Sequence, residues 1–325
     1  MRKTGIFILC LLFIILLIFT AISAEKVFRF NWELPKAINQ KEPQYRLVLI
    51  TQDIDTPFWD KVGYAAQEQA KKEGVSLEVW GSYDNNKEDF LENLEIAIYS
   101  KVDGIIIQGL DTTKFKDLIK VKASFYGVPV ITVVNDVPMS ESLRRTYVGS
   151  DQYKAGRLIA GQLVSDMGSI GNVILMSDRI REYFQEQRLR GIQDVLKKYP
   201  NIQILNAETS ESSEQIISTT QDMLNRMPDV DAIVAVNASI AGTMIQEISK
   251  RSQLERYHIY SFDDGPESLL LLEQGKLDAV IQQSPEMMGK LSVKLMTEWL
   301  NGETLPLDSS GYLTDIQILK AVDVQ

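Results

Sequence analysis

The sequence predicts an α/β protein built as two similar three-layer lobes with parallel sheets. Three observations predict it. Short apolar runs rich in Val and Ile alternate with longer amphipathic stretches. The runs are apolar throughout, as strands covered by helices on both faces must be. The alternation pauses once, at Tyr147-Val-Gly-Ser-Asp151, and then restarts, and a chain of 325 residues suits two cores better than one.

In the first series, Arg46–Thr51 reads as a strand and Phe58–Glu73 as a helix that presents Val62, Ala65, Ala66 and Ala70 on one side and stops at Gly74. Leu77–Trp80 is a strand and Glu88–Ser100 a helix with Phe90, Leu91, Leu94 and Ile98 inward. Gly104–Ile107 is a strand, Phe115–Tyr126 a helix ended by Gly127, and Val128–Val134 a strand. In the second series, helices at Tyr153–Met167, Glu182–Lys198, Glu214–Arg226 and Ile240–Arg251 separate strands at Asn172–Met176, Ile202–Leu205, Ala232–Val236 and His258–Phe262. A further apolar run lies at Ala279–Ile281.

Several of these strands end in a hydrogen-bonding side chain. Asp263 follows Phe262, Asn237 follows Val236, Gln108 follows Ile107, and Gln282 and Gln283 follow Ile281. Open α/β sheets bind ligands at the carboxyl ends of their strands, so the pattern describes a site for a polar ligand. Asp264, next to Asp263 and before Pro266, suits the N-cap of a following helix.

Composition narrows the function. The formal net charge of −10 gives no basic footprint for nucleic acid. One cysteine, Cys10, and one histidine, His258, are too few for a His/Cys zinc site or for Ser-His or Cys-His catalysis. No cofactor is expected. Cys10 follows Leu9 rather than a small residue, which argues against lipidation.

Residues 1–24 read as a membrane anchor or a signal peptide. Arg2 and Lys3 precede an apolar stretch from Gly5 to Ile22, at the threshold for a spanning helix and longer than a typical signal core. Both readings export the rest of the chain. Residues 25–45 read as a juxtamembrane linker carrying Phe28, Phe30 and Trp32.

Six motifs in register carry a family resemblance. They are Asp55-Thr-Pro-Phe-Trp59, Gly127-Val-Pro-Val-Ile-Thr-Val133, Tyr147-Val-Gly-Ser-Asp151, Arg188-Leu-Arg-Gly191, Ser261-Phe-Asp-Asp-Gly265 and Gln282-Gln-Ser-Pro285. Together they resemble the type 1 periplasmic sugar-binding proteins, the ribose/galactose-binding family related to the effector domains of LacI-type repressors. The likeness runs from about Arg46 to Val324.

The resemblance implies a three-strand hinge near Gly149, Gln283 and Thr314. Lobe 1 would comprise residues 46–149 plus 284–313, and lobe 2 residues 150–283 plus 314–325. It implies a monosaccharide-like ligand enclosed between them, with Phe58 and Trp59 against its C–H face. Arg188, Asn237, Asp263, Gln283 and Gln108 would meet its hydroxyls. Val134 stands where many relatives carry a ligand acid, so Asn135 or Asp136 is expected in that role. The resemblance further implies a binding protein, not an enzyme, monomeric when free. Its partner would be a membrane histidine kinase that reads closure or, alternatively, an ABC sugar permease.

Overall fold

The computed structural model describes residues 13–20, 43–83, 85–210, 212–250 and 257–324. The two compact units of the chain are Met1–Pro43 and Gln44–Gln325. In the first, residues 13–20 form a helix (α1) in which the Thr20 hydroxyl donates to the carbonyls of Leu16 and Leu17. The rest of the expected anchor, Cys10 and the linker aromatics Phe28, Phe30 and Trp32 lie outside the described residues. Among the described residues no helix is long and apolar enough to cross a membrane.

The second unit holds two six-stranded sheets. The first has the order β11-β5-β4-β3-β1-β2, from β1 (Arg46–Thr51), β2 (Ser76–Gly81), β3 (Gly104–Gln108), β4 (Val130–Val133), β5 (Thr146–Ser150) and β11 (Tyr312–Thr314). The second repeats it as β12-β10-β9-β8-β6-β7, from β6 (Ile170–Asp178), β7 (Asn201–Thr209), β8 (Ala232–Ala235), β9 (His258–Phe262), β10 (Ala279–Gln282) and β12 (Gln317–Lys320). All pairings are parallel except β10 with β12. The chain passes between sheets after Ser150, after Gln282 and between Thr314 and Gln317. The expected α/β architecture of two like lobes is present.

The helices fall where capping and apolar spacing put them. Helix α2 (Pro57–Glu73) starts with the Thr56 side chain capping the Trp59 amide and Pro57 in its first turn, where a missing N–H costs nothing. It ends at Gly74, whose φ of 70° returns its amide to the Ala70 and Lys71 carbonyls. Helix α3 (Lys87–Tyr99) is capped by Asn86. The next helix runs Thr113–Asp117 (α4), continues through a π-helical stretch at Leu118–Ala123, and closes as α5 (Ser124–Tyr126) before Gly127. Two short helices, α6 (Met139–Ser142) and α11 (Pro266–Glu273), are too brief to show a helical period in sequence.

The second lobe carries α7 (Gln152–Met167), α8 (Tyr183–Leu196), α9 (Ser213–Arg226) and α10 (Ala238–Ser249), and the chain closes with α12 (Pro285–Asn301) and α13 (Ala321–Val324). The strands β6 and β7 extend well beyond the predicted runs. They pair in register from Ile170 opposite Asn201 to Asp178 opposite Thr209, so a neighbouring strand, not apolarity, extends them.

Each sheet is covered on both faces. In lobe 1, Val48, Ile50, Ile105 and Ile107 pack toward α3 and α4, while Leu47, Leu49, Ile106 and Val133 pack toward α2 and α12. Lobe 2 repeats this, with Ile174 and Met176 toward α9 and α10, and Val173 and Leu175 toward α7 and α8. Helix α7 follows β5 of one lobe and packs on α8 in the other; α12 follows β10 and makes the reverse journey onto α2. The seams are glycine-lined. A Cβ on Gly156 would stand 2.1 Å from the Arg188 carbonyl, and one on Gly289 would stand 2.2 Å from that of Val62. This close seating of α7 fixes α8, the helix that carries the charged wall of the cleft.

Candidate functional site

The carboxyl ends of both sheets face one cleft, a cavity of about 480 Å³. That lies within the ~300–1,000 Å³ of small-molecule sites. Of the residues expected at the ligand, eight line it: Phe58, Trp59, Gln108, Asn135, Arg188, Asn237, Asp263 and Gln283.

Asp263 leaves β9 with φ of 69°, and its amide still donates to the Ile281 carbonyl at 2.9 Å. The left-handed turn is sterically costly for a residue with a Cβ, though Asp tolerates it better than most. It places the carboxylate at the sheet edge instead of in the layer of α-helices. Gln283 donates to Asp263 Oδ1 and accepts from the Ser150 hydroxyl at 2.6 Å. One glutamine thus ties a cleft carboxylate to the end of β5 in the other lobe.

Arg188 projects from α8 and is 2% exposed. Its Nε donates to Gln152 Oε1 at 2.7 Å and its Nη1 to the Val236 carbonyl at 3.0 Å, while Nη2 lies 3.7 Å from Asp263. The guanidinium lies between the rings of Phe184 and Phe262, 5.0 and 4.2 Å from their centroids. Burial pulls its pKa down, and the Asp263 charge opposes that shift. Arg190, two residues on, lies instead over the Tyr153 ring.

Lobe 1 supplies amides and aromatic surface. Gln108 Oε1 accepts from the Thr51 hydroxyl at 3.0 Å and the Gln52 amide at 2.9 Å, which fixes the orientation of its side chain. Phe58 and Trp59 meet edge to face with centroids 5.9 Å apart. Phe58 is half-buried at the cleft, whereas Trp59 is mostly consumed by the core beside α2. Across the mouth, Lys87 of lobe 1 lies 3.6 Å from Glu182 of lobe 2. Burial pushes the Glu182 carboxyl above its ordinary range, and Lys87 draws it partly back.

Two expectations need correction. Asp136 does not line the cleft. Its two carboxylate oxygens accept from Arg144 Nε and Nη2 at 2.6 and 2.7 Å, and Oδ1 also takes the Thr132 hydroxyl at 2.7 Å. A carboxylate so occupied has little left for a ligand. Asp264 does not cap α11; the N-cap is Gly265, without a side-chain bond, and Asp264 accepts from Gln282 at 2.8 Å. Asn237 lines the cleft and also caps a helix. Its Oδ1 accepts from the Ser239 amide at the start of α10, and its amide nitrogen donates to Asp178 Oδ2 at 2.8 Å.

Sequence reasoning missed Asp178, Gln185, Gln52 and the Lys87–Glu182 pair, all of which line the cleft. Gln52 directly follows the first strand of lobe 1 and Asp178 ends that of lobe 2, so the strand-end argument applied to Gln52 as the strand stood and would have reached Asp178 had the predicted run been carried one residue further. Among the described residues no three His, Cys, Asp or Glu side chains gather as a metal site would require.

Residues 47–304 match the family described as periplasmic binding protein domain. The ribose import binding protein RbsB of Bacillus subtilis is 22% identical over 289 residues, covering 89% of this chain and 91% of that protein. Among solved structures, the glucose-galactose binding protein GanP from Geobacillus stearothermophilus superposes with a TM-score of 0.79 at 29% identity, covering 86% of this chain and 98% of that one. A chain of the XylFII–LytSN complex superposes with a TM-score of 0.73 at 25% identity, covering 86% and 98%. The match spans both sheets and the cleft between them, and it is to binding proteins, not enzymes: the chain belongs to the periplasmic binding protein family, in its type 1, sugar-binding branch.

Proposed function

We propose that this protein is an extracytoplasmic receptor that closes on a neutral monosaccharide and signals to a membrane histidine kinase. The observation that carries the binding half is the division of labour across the cleft. Phe58 offers a flat apolar face from lobe 1, and Asp263, Arg188 and Asn237 offer charged and amide groups from lobe 2. A sugar presents both kinds of surface, C–H faces and a hydroxyl rim. Gln108 and Asn135 complete the rim from lobe 1, and Gln283 joins the site to the hinge through Ser150. Ligand that touches both lobes favours the closed form by the free energy of the second lobe's contacts. Asp136 has no part in this set.

The signalling half is supported by the resemblance to a chain of the XylFII–LytSN complex, in which a protein of this fold is bound to a second protein. It is supported also by the apolar Gly5–Ile22 run, which suits a tether at the membrane. The second reading, delivery to an ABC importer, is favoured by the relative that is a ribose import binding protein.

Titration calorimetry with D-ribose, D-allose, D-glucose, D-galactose, D-arabinose and D-xylose tests the binding half; at least one should bind with a Kd in the micromolar range or below. Absence of binding to neutral sugars would defeat it. Fractionation of expressing cells tests the tether: full-length protein in the membrane is expected, and a shorter, freely released form would favour import. Sugar-dependent capture of a kinase sensor domain, against capture of a permease, separates the partners.

A further inference from the structure

Asp178 ends β6, Gln185 sits in the first turn of α8, and Asn237 caps α10; all three line the cleft. Asp178 is 6% exposed and Gln185 2%. The Gln185 amide nitrogen donates to Asp178 Oδ2, and so does that of Asn237 at 2.8 Å. A carboxylate accepts only, so both amides must turn their nitrogens toward it. The consequence falls on the remaining atoms. Asp178 Oδ1 and Gln185 Oε1 are buried and find no donor among the described residues.

Two bare acceptors on residues that line the cleft are costly unless something donates to them. The side chains around them add to the demand. Among the described residues Asp53, Asp178, Glu182 and Asp263 line the cleft against Lys87 and Arg188, so carboxylates outnumber cations and an anionic ligand is disfavoured. A pair of hydroxyl donors on a neutral ligand meets both conditions.

The geometry points to Asp178 and Gln185 as a hydroxyl-reading subsite that sets sugar specificity by accepting hydrogen bonds from adjacent hydroxyl groups. This rests on the sugar-receptor reading and adds to it the two side chains that choose among sugars. The Asp178 oxygen that faces Gln185 and Asn237 positions the carboxylate, and the other oxygen reads the ligand.

The test uses the sugar from the panel above that binds most tightly, with its monodeoxy and deoxyfluoro derivatives, titrated into the full exported domain. Fluorine cannot donate a hydrogen bond. At the hydroxyl that the subsite reads, both the deoxy and the deoxyfluoro derivative should lose about ten- to a hundredfold in affinity, the span expected for a bond to a charged acceptor. In Asp178→Asn the amide oxygen keeps the two internal donors, and an NH2 group replaces the bare acceptor. There the penalty for the deoxyfluoro derivative should shrink to within threefold of that variant's own parent sugar. Gln185→Met should weaken the parent sugar without altering the penalties at distant hydroxyls. Recovery by fluorine at every position in the wild-type protein would overturn the proposal without any variant having to fold. So would equal penalties in wild type and a folded Asp178→Asn. Failure of wild type to bind any neutral sugar overturns the receptor reading itself, and this proposal with it.

Discussion

Each lobe holds a buried arginine against an aspartate just beyond its fourth strand, and the two pairs differ in almost every other respect. In lobe 1, Asp136 and Arg144 meet through two short bonds; Asp136 is 13% exposed and Arg144 3%. Arg144 shares its Nε–H with the Val137 carbonyl and donates from Nη1 to the Ser309 carbonyl, far away in sequence. In lobe 2, Asp263 and Arg188 lie 3.7 Å apart and Asp263 is 30% exposed, facing the cleft. The first pair is saturated and fastens a loop to the sheet that ends in β11. The second is open, with carboxylate surface left over. The same two residue types make a brace in one lobe and, on the proposed reading, a ligand clamp in the other, and what separates them is how many hydrogen bonds the protein has already filled.

The largest effect expected from this comparison is on stability. Asp136→Ala leaves Arg144 buried without a counter-ion, which costs about 3–5 kcal/mol. For a domain of this size that lowers Tm by on the order of 10 °C. Affinity for sugar should change by less than threefold. Asp263→Ala should do the reverse. Sugar affinity should fall by roughly a hundredfold or more, as expected when bonds to a charged acceptor are lost, with Tm moving only a few degrees. Thermal scans and calorimetry on the two variants side by side are the check. Equal losses of Tm would erase the distinction between brace and clamp.

Much of this was legible in the sequence, and the gaps have physical causes. The alternation of apolar strands and capped helices follows from local periodicity, so β1, α2, β3, β8 and β9 fall within a residue or two of their expected limits. Asp263, Asn237 and Gln108 were visible because each is polar immediately after an apolar run. Asp178 was hidden because Ser177 and Asp178 extend β6 only through pairing with β7, a non-local cause. Gln185 was hidden because α8 is amphipathic in any case, and a polar residue in its first turn looks like a solvated one. Asp136 misled because its partner Arg144 is eight residues away across an unpredicted short helix, and spacing alone does not show that they meet.

The residue that matches Asp263 in backbone geometry is Val134, two positions before Asp136. Val134 follows β4 with φ of 68°, and Asp263 follows β9 with φ of 69°. The backbone is the same, and the residues are opposite in chemistry. A β-branched side chain is among the least suited to this left-handed region, whereas Asp visits it more readily. Lobe 1 holds Val134 there by other means: its amide donates to the Val148 carbonyl at 3.0 Å and its carbonyl accepts from the buried Tyr147 hydroxyl at 2.9 Å. Val134→Asp should therefore relieve about 1 kcal/mol of strain while losing a similar amount of buried apolar surface, leaving Tm within about 3 °C. Asp263→Val adds that strain and removes the counter-ion of Arg188, and should cost at least twice as many degrees. Equal shifts would mean that the turn, not the residue in it, determines the two sites.

The smallest effect expected crosses the cleft. Glu182 of lobe 2 is packed near Lys87 and Asp111 of lobe 1, and burial raises its pKa above the ordinary value, while Lys87 and a backbone hydrogen bond from Asp111 oppose the rise. With the lobes together, Glu182 thus holds its proton to higher pH than it would facing water. Between the ordinary and the raised value the closed form binds more protons than the open one, so acid favours closure and rising pH withdraws that help. Sugar affinity, tied to closure on the proposed reading, should decline by no more than severalfold as pH climbs through this window. Glu182→Gln, neutral at every pH, should bind sugar at neutral pH at least as well as wild type and show a flat profile. Calorimetry from pH 4.5 upward, on wild type and variant together, decides it: a slope that survives in Glu182→Gln, or affinity that rises with pH, would show that the cleft mouth is not where protons and closure meet.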